Sequence, residues 1–465
     1  MIIENCRFCH TKLTQTFCNL GMSPLSNAYL KPAQLQQMEP FYPLHAYVCE
    51  KCYLVQLQEF QSPENIFSDY AYFSSYSESW LKHAKAYTEY MIERFGFNST
   101  SQIVEIASND GYLLQYFKAK NIPVLGVEPA QNVATVAQAA GIPTVTKFWG
   151  VKTATELANE GKMADLLLGN NVLAHVPNIN DFVGGLKRLL KPHGVITMEF
   201  PHLLRLIEHN QFDTIYHEHF SYLSFITAEK IFAKHGLIVY DVEELTTHGG
   251  SLRIFARHTE DNTKPLTERV DNFRRLERQN GLDNLKTYQI FAEKVRETKR
   301  KILDFLIQTK QTGKTIVGYG APAKGNTLLN YCGIRDDFID YTVDRSPHKQ
   351  GLFLPGTHLA IHHPDKIKET KPDYLLILPW NIKNEVIEQM AHISEWGGQF
   401  VTLIPSVCVI WYDKSGNFQL SFYALTITIN LIFCYFTHII SQMITLIPFN
   451  YPFQCCFKRK FWRPF

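Results

Sequence analysis

Charge of one sign is what this 465-residue chain lacks: 46 Lys and Arg face 44 Asp and Glu, for a formal net charge of +2. That balance, with no clustered lysine or arginine patch, excludes the field by which proteins hold nucleic acid. No basic, apolar leader opens the chain, because MIIENCRFCH runs straight into a cysteine pair. The expectation is therefore a cytoplasmic protein with reduced thiols. Short-period repeats and low-complexity linkers are missing too, which argues against a solenoid or a tethered array. An apolar fraction of 45% and a charged fraction of 19% are ordinary for a globular protein. The length is too great for one core, so two or three domains are expected.

The ten cysteines are unevenly placed. Cys6 and Cys9 form one CxxC, and Cys49 and Cys52 form a second, whereas Cys18, Cys332, Cys408, Cys434, Cys455 and Cys456 have no such spacing. Each knuckle sets two thiolates on one side of a tight turn, and two knuckles complete a tetrahedron around structural Zn²⁺ with no open position for chemistry. Four unligated thiols are the plainer alternative. At the other end, Ser415 to Phe457 carries no charged side chain. The stretch is long enough to span a bilayer, but Asn430, His438 and Gln442 interrupt it. The basic end Lys458–Arg463 would also orient it wrongly for a cytosolic catalytic part. Its Ile, Phe, Tyr and Thr content matches a shifted reading frame through AT-rich DNA. A non-native terminus is thus expected ahead of a membrane anchor, with an apolar packing segment the third reading.

Between these ends, Trp80, Ala84, Tyr87, Met91 and Phe95 recur at helical spacing. SQIVEIASNDGYLLQYF reads as a strand over Ile103–Ala107, a turn over Ser108–Gly111 and a helix from Tyr112. IPVLGVEPA, IPTVTKF, ADLLLGN and VITMEFP read as four more strands, with NDFVGGLKRLLKPHG a helix stopped by Pro192 and Gly194. This alternation specifies an α/β fold with a parallel sheet covered on both faces and ligands at the carboxyl ends of its strands. A charged helical stretch from about Leu266 to Thr309 leads to a second Rossmann-like unit that opens with KTIVGYGAPAKGNTLLNYCG.

Two nucleotides compete for the first sheet. A dinucleotide needs G-x-G-x-x-G so that its pyrophosphate can approach a helix N-terminus. The turn here is Ala107-Ser108-Asn109-Asp110-Gly111, with one glycine and an aspartate that would repel phosphate. S-adenosylmethionine has no phosphate, and its ammonium tolerates acidic neighbours. The balance favours it, with Glu105 heading the turn and Glu128, followed by Pro129, accepting the ribose hydroxyls. An α/β domain without a nucleotide is the bland reading.

In order along the chain stand the paired CxxC region, VEIASNDGYLL, GVEPA, NNVLAHV, YHEHFSYLS, HGGSLR and GYGAPAKGNTLLN. Together these resemble the S-adenosylmethionine-dependent sugar C-methyltransferases of deoxysugar biosynthesis, from about Cys6 to Ile410. One departure is Ala107, where that family usually carries glycine. The resemblance implies methylation at C3 of a nucleotide-linked 4-keto-6-deoxysugar. It also implies a zinc-binding domain (1–68), a class I methyltransferase domain (69–262) and a C-terminal Rossmann-like nucleotide-sugar domain (263–410), with 411–465 outside the pattern. A monomer or weak oligomer is expected, with a nucleotide-diphosphate keto-deoxysugar as its partner.

Carbon next to a ketone becomes nucleophilic only after losing a proton, and the enolate oxygen then needs a partner. His219, neutral near pH 7, is the candidate base, and the resemblance assigns that role to the second histidine of YHEH. Glu218 and Tyr216 are expected to orient the sugar or meet the enolate, with Tyr222 a weaker candidate. A metal reading of HEH needs further converging ligands, and a solvated histidine-rich loop is the other alternative. Asn170, Asn171 and His175 follow the fourth strand, where class I enzymes line the cofactor cleft, although a core histidine is comparably plausible. Tyr70 and Tyr72 resemble a segment that closes over the active site, and which of them faces the sugar stays open. Gly318, Gly320 and Lys324 could cradle a diphosphate or form a purely structural turn, Gly325 being out of register for a dinucleotide fingerprint. Gly249 and Gly250 would permit close backbone approach, and Arg253 would meet an anion. The rival readings are an NAD-dependent nucleotide-sugar oxidoreductase and a non-enzymatic zinc-knuckle interaction protein.

Overall fold

Short apolar runs alternating with amphipathic helices build the central sheet. The computed structural model describes residues 5–62, 73–412 and 418–422. Seven strands lie in the order Leu237–Leu245, Ser251–His258, Leu190–Pro201, Ala164–Asn170, Ile103–Ile106, Val124–Val127 and Thr144–Val145. In order of appearance along the chain this is 3-2-1-4-5-7-6 read from the far edge. The seventh strand, Ser251–His258, runs antiparallel to both neighbours, and the first five are mutually parallel. That is the class I methyltransferase topology.

Two boundaries and one strand pair differ from expectation. The helix Ile179–Leu189 ends before Pro192, because Leu190 already turns into an extended twelve-residue strand. The third strand shrinks to Thr144–Val145. The antiparallel pair 237–258 was not anticipated, because its strands carry charges that read as loop. Glu243 and Arg253 are register partners across that pair, so each charge is answered within the sheet.

The N-terminal module is an antiparallel sheet of Gln15–Ser23, Tyr42–Val48 and Val55–Leu57. Its fourth strand comes from far along the chain: Val55 pairs with Tyr222 and Gln56 with Ser221. The third sheet runs Ile361–His362, Thr342–Val343, Ile316–Tyr319, Tyr374–Ile377, Gln399–Thr402, Cys408–Tyr412 and Phe418–Phe422. Five of its strands are parallel and the last two antiparallel, so the fold continues past residue 410. The Leu266–Thr309 stretch is two helices, Glu268–Gln279 and Leu285–Gln311. The longer one lays Phe291 on Phe17 of the first sheet, ring centroids 4.6 Å apart. One apolar core thus joins Phe17 and Leu44 to Phe212, Leu306 and Ile316, while Cys6, Cys49 and Leu54 share the core of the central sheet.

Among the described residues no helix is long and apolar enough to cross a membrane. Most of the expected tail, 423–465, and both Tyr70 and Tyr72 lie outside the described residues.

Candidate active site

The cofactor turn leaves the strand Ile103–Ile106 through three left-handed residues, Ala107 (φ 54°), Asn109 (φ 50°) and Gly111 (φ 78°). Only glycine adopts that region freely, so Ala107 carries strain that a glycine there would not. The Glu128 carboxylate ties the neighbouring strand end to this turn, accepting from the Asn109 and Ala130 amides at 2.9 Å each. Pro129 stands half-buried beside it. The turn's own side chains are gripped from above: Asn109 Oδ1 accepts from Ser74 N (2.9 Å), and Asp110 Oδ2 from Ser75 N and Oγ (3.1 and 2.6 Å). Glu105 is completely buried, which pushes its carboxyl well above the ordinary range despite the Tyr112 hydroxyl. At the adjacent strand end, both amide atoms of Asn170 are buried without a protein partner, as are Asp110 Oδ1 and Ser108 Oγ. Buried polar atoms rarely stay unpaired, so this cluster fits a polar ligand at these strand ends.

The segment Asp213–Ser224 faces two ways. His217 Nε2 donates to the Pro43 carbonyl (3.2 Å), and its ring sits against Tyr42 and Phe60 of the N-terminal module. This histidine anchors the loop. His219 points inward: Nδ1 donates to the Thr214 carbonyl (2.9 Å), since a carbonyl can only accept. Nε2 therefore keeps its lone pair, and the Tyr216 hydroxyl donates to it at 2.8 Å. The His175 ring packs edge-on against His219, 4.6 Å between centroids, and bonds the Glu218 backbone. Burial, then His175, push His219 well below the usual imidazole value, and burial takes His175 to about 4. Both rings are neutral at physiological pH. Glu218 accepts from Asn27 Nδ2 (2.6 Å), and burial raises its carboxyl to about 7 against the opposing pull of Asn27 and Lys349. Tyr222 lies 6.1 Å from the His219 ring, its hydroxyl buried near the Tyr216 backbone.

The four expected ligands converge. The sulfurs of Cys6, Cys9, Cys49 and Cys52 all lie within 4.8 Å of one another, with Cys6–Cys52 at 3.5 Å and Cys9–Cys49 at 3.4 Å. A zinc tetrahedron with Zn–S bonds of about 2.3 Å has an edge of roughly 3.8 Å, so the cage fits. Gln56 Nε2 donates to Cys6 Sγ at 3.2 Å, a supporting contact for a thiolate. Among the described residues this is the one cluster of metal-ligand type, and the HEH histidines do not join one.

Other expected residues fall differently. Arg253 does not offer itself to an anion, because its guanidinium is committed to Glu199 (3.1 Å) and Glu243 (3.4 Å). Gly249 and Gly250 are needed for packing: a Cβ on the first would strike the Trp380 ring and Gln211, and on the second Arg205. Gly318 lies within a strand, and the Gly320–Ala321 turn is closed by Asp344, whose Oδ2 accepts from Ala321 N (2.7 Å). Lys324 reaches Asn381 Oδ1 (2.7 Å) and rests over Trp380, 4.6 Å from the ring. Its charge is felt by Asp213, His219 and His248, which places it near the Asp213–Ser224 segment. Asp213 is buried, raised to about 6, and accepts from Trp380 Nε1 at 2.6 Å.

Three family models match in order: a zinc binding domain over 6–67, a methyltransferase domain over 80–242 and a C-methyltransferase C-terminal domain over 246–405. The C-methyltransferase NovU of Streptomyces niveus is 34% identical over 410 residues, 88% of this chain and 97% of that protein. The chain belongs to this C-methyltransferase family. A ubiquinone biosynthesis O-methyltransferase of Bartonella tribocorum is 31% identical over 96 residues, 20% of this chain and 39% of that protein. Among solved structures, the magnesium protoporphyrin IX methyltransferase of Synechocystis PCC 6803 with bound S-adenosylmethionine aligns with 38% of this chain and 78% of its own (TM-score 0.29, 13% identity). The PH0226 protein of Pyrococcus horikoshii OT3 aligns with 43% and 99% (TM-score 0.34, 14% identity).

As a member of this family the chain is an S-adenosylmethionine-dependent C-methyltransferase with a zinc-binding module, and the nicotinamide-dependent reading is set aside. Several residues of the site had drawn no notice. Asn27 sits in a Ser- and Pro-containing loop with no local signal. His248, left-handed (φ 55°) and edge-on to Trp80 at 5.2 Å, heads HGGSLR but was passed over for the glycines. Glu199 bonds His83 (3.0 Å) and Thr247 (3.1 Å), and a lone carboxylate in the apolar run ITMEFP was the available clue.

Proposed function

We propose that the enzyme methylates C3 of a nucleotide-linked 4-keto-6-deoxysugar, with His219 as the base. The observation carrying this reading is a buried, neutral imidazole whose Nδ1–H is held by Thr214 and whose Nε2 lone pair faces a tyrosine hydroxyl. S-adenosylmethionine, held by Glu105, Ala107, Asn109–Gly111, Glu128 and Asn170, supplies an electrophilic methyl group when bound. His219 takes the proton from the carbon beside the ketone. Tyr216 must turn from Nε2 to the substrate oxygen for this, which gives the enolate a donor as it forms. The imidazolium is tolerated in so dry a site because the enolate forms next to it. Glu218 orients the sugar hydroxyls, and Lys324 provides the cation that an anionic nucleotide sugar meets on the C-terminal side. The resemblance set out above supports the sugar class, and the unligated thiols Cys18, Cys332 and Cys408 suit a cytosolic enzyme.

Turnover with labelled S-adenosylmethionine and a panel of thymidine-diphosphate keto-sugars tests this. A methyl group on the carbon adjacent to the carbonyl is the expected product. Methylation on oxygen or nitrogen, or no transfer across the panel, would refute the reading.

A further inference from the structure

We propose that Asn27, carried by the zinc-bearing module, is a positioning residue for the Glu218 carboxyl: its amide reserves Oε1 as an acceptor and leaves Oε2 as the oxygen that carries the proton. The inference rests on the reading above that Glu218 meets the substrate. Asn27 Nδ2 donates to Glu218 Oε1 at 2.6 Å, the one side-chain hydrogen bond to Glu218 found among the described residues. The orientation of the amide is set by Glu218 itself: an ionised carboxylate oxygen only accepts, so the NH₂ group must face it, and Oδ1 is left 3.3 Å from the Tyr29 hydroxyl, whose nearer acceptor is the Ala321 carbonyl at 2.5 Å.

The loop holding Asn27 is itself pinned between two other modules. Asn326 Nδ2 donates to Ser26 O (2.6 Å), Ser26 Oγ meets Thr327 Oγ1 (3.4 Å), and Thr327 Oγ1 donates to Ile215 O (3.1 Å). A side chain remote in sequence is thus set against the catalytic loop from a rigid frame, the arrangement that fixes a reacting group. The charged and titratable groups around Glu218 are Lys349 from the C-terminal domain, Tyr29 from the same loop as Asn27, His175, which bonds its backbone, and Tyr216 and His219 on its own loop. Of these and Asn27, only Asn27 contacts the carboxyl in the described hydrogen bonds, and a donor to the ionised form favours ionisation.

The test is the pH dependence of kcat for the full chain on a thymidine-diphosphate 4-keto-6-deoxyhexose, comparing wild type, Asn27→Ala, Asn27→Asp and Glu218→Gln. Wild type should show a titration near pH 7, which Glu218→Gln removes. Loss of a hydrogen bond to a charged group, about 1.5–3 kcal/mol, moves that titration up by about one to two pH units in Asn27→Ala. In Asn27→Asp, which keeps the shape and the Tyr29 contact, two carboxyls share a proton, and the titration also moves up. In the Glu218→Gln background, Asn27→Ala should change kcat by less than about twofold. If Glu218→Gln keeps the titration and the rate, the reading of Glu218 fails. If it loses them while both Asn27 variants leave the wild-type titration unmoved, or Asn27→Ala lowers the rate equally with and without Glu218, the Asn27 proposal fails alone. Should the alanine variant lose its zinc or its fold, the aspartate variant decides.

Discussion

Asparagine at position 219 removes the proposed base with little disturbance. Its Nδ2 can take the place of the imidazole Nδ1 and go on donating to the Thr214 carbonyl, now 2.9 Å from the ring nitrogen. Nothing replaces Nε2, which the Tyr216 hydroxyl meets at 2.8 Å. General base catalysis contributes about 10²–10⁴ in rate, so His219→Asn should raise the barrier by roughly 3–5 kcal/mol. Loss of the hydrogen bond between Tyr216 and His219 costs about 1 kcal/mol of stability, which leaves the protein folded. Affinity for S-adenosylhomocysteine should stay within about threefold, because the hydrogen-bond partners of the His219 ring are the Thr214 carbonyl and the Tyr216 hydroxyl, neither of which belongs to the cofactor turn, and the His175 ring meets it only edge-on. Two assays separate these effects: transfer of labelled methyl to the keto-sugar, and uptake of deuterium at the carbon next to the carbonyl with S-adenosylhomocysteine bound. Wild type should exchange and the variant should not. Turnover within tenfold of wild type, or undiminished exchange, would refute the base assignment.

Other consequences can be measured directly. Purified protein should contain one zinc per chain by elemental analysis. Removing it, or Cys49→Ser, should loosen the strand that pairs with Ser221–Tyr222 and lower turnover at least about tenfold; full turnover without zinc would contradict this. Burial holds Glu218 near 7 and Asp213 near 6, both above their unfolded values. Native protein therefore binds more protons than unfolded protein between about pH 4 and pH 7, and stability falls as pH rises through that window. Glu218→Gln should accordingly raise the melting temperature at pH 8, by the equivalent of about 2–4 kcal/mol, and leave it unchanged near pH 4. At the strained turn, Ala107→Gly should be tolerated, whereas Ala107→Val at φ 54° should cost about 2 kcal/mol and weaken cofactor binding in a calorimetric titration. Because Phe418–Phe422 pairs with Cys408–Tyr412, a chain ending after residue 422 should melt higher than one ending after 410.

What could be read in advance follows from how local each signal is. Four thiolates in two i, i+3 pairs announce their cage without any knowledge of the fold, and they do converge. Parallel strands such as Ala164–Asn170 announce themselves because the middle positions, Leu166–Leu168, are buried on both faces and are all apolar. The strand pair 237–258 escaped notice for the opposite reason. Its charges are satisfied by a partner strand, and Glu243 against Arg253 is a cross-strand fact invisible in either segment alone. The same pairing explains why Arg253 looked available for an anion and is not. HEH presents two histidines of equal appearance, and only the placement of Pro43 on one side and His175 on the other separates the anchor from the proposed base. Asn27 and Glu218, 191 residues apart, share no local pattern at all.

These long-range contacts have a common logic. The segment that carries the proposed base has almost no regular structure of its own: a 3₁₀ turn, a two-residue strand, then the helix Phe225–Lys234. A base on so bare a loop would wander by more than the roughly 0.5 Å that proton transfer tolerates. Its backbone is instead held from outside at both ends. Glu277 on a following helix accepts from the Phe225 and Ile226 amides (2.5 and 2.8 Å) and from His202 Nε2 (2.7 Å), and Thr327 of the C-terminal domain donates to the Ile215 carbonyl. In the middle the loop becomes an edge strand of the zinc module, with Leu57 N donating to Phe220 O at 3.1 Å, directly beside His219. A four-thiolate zinc has no open coordination position. Its bearing on catalysis therefore runs through that strand: the metal fixes the knuckle Cys49–Cys52, the knuckle fixes Val55–Leu57, and that short strand holds the backbone from which the imidazole projects.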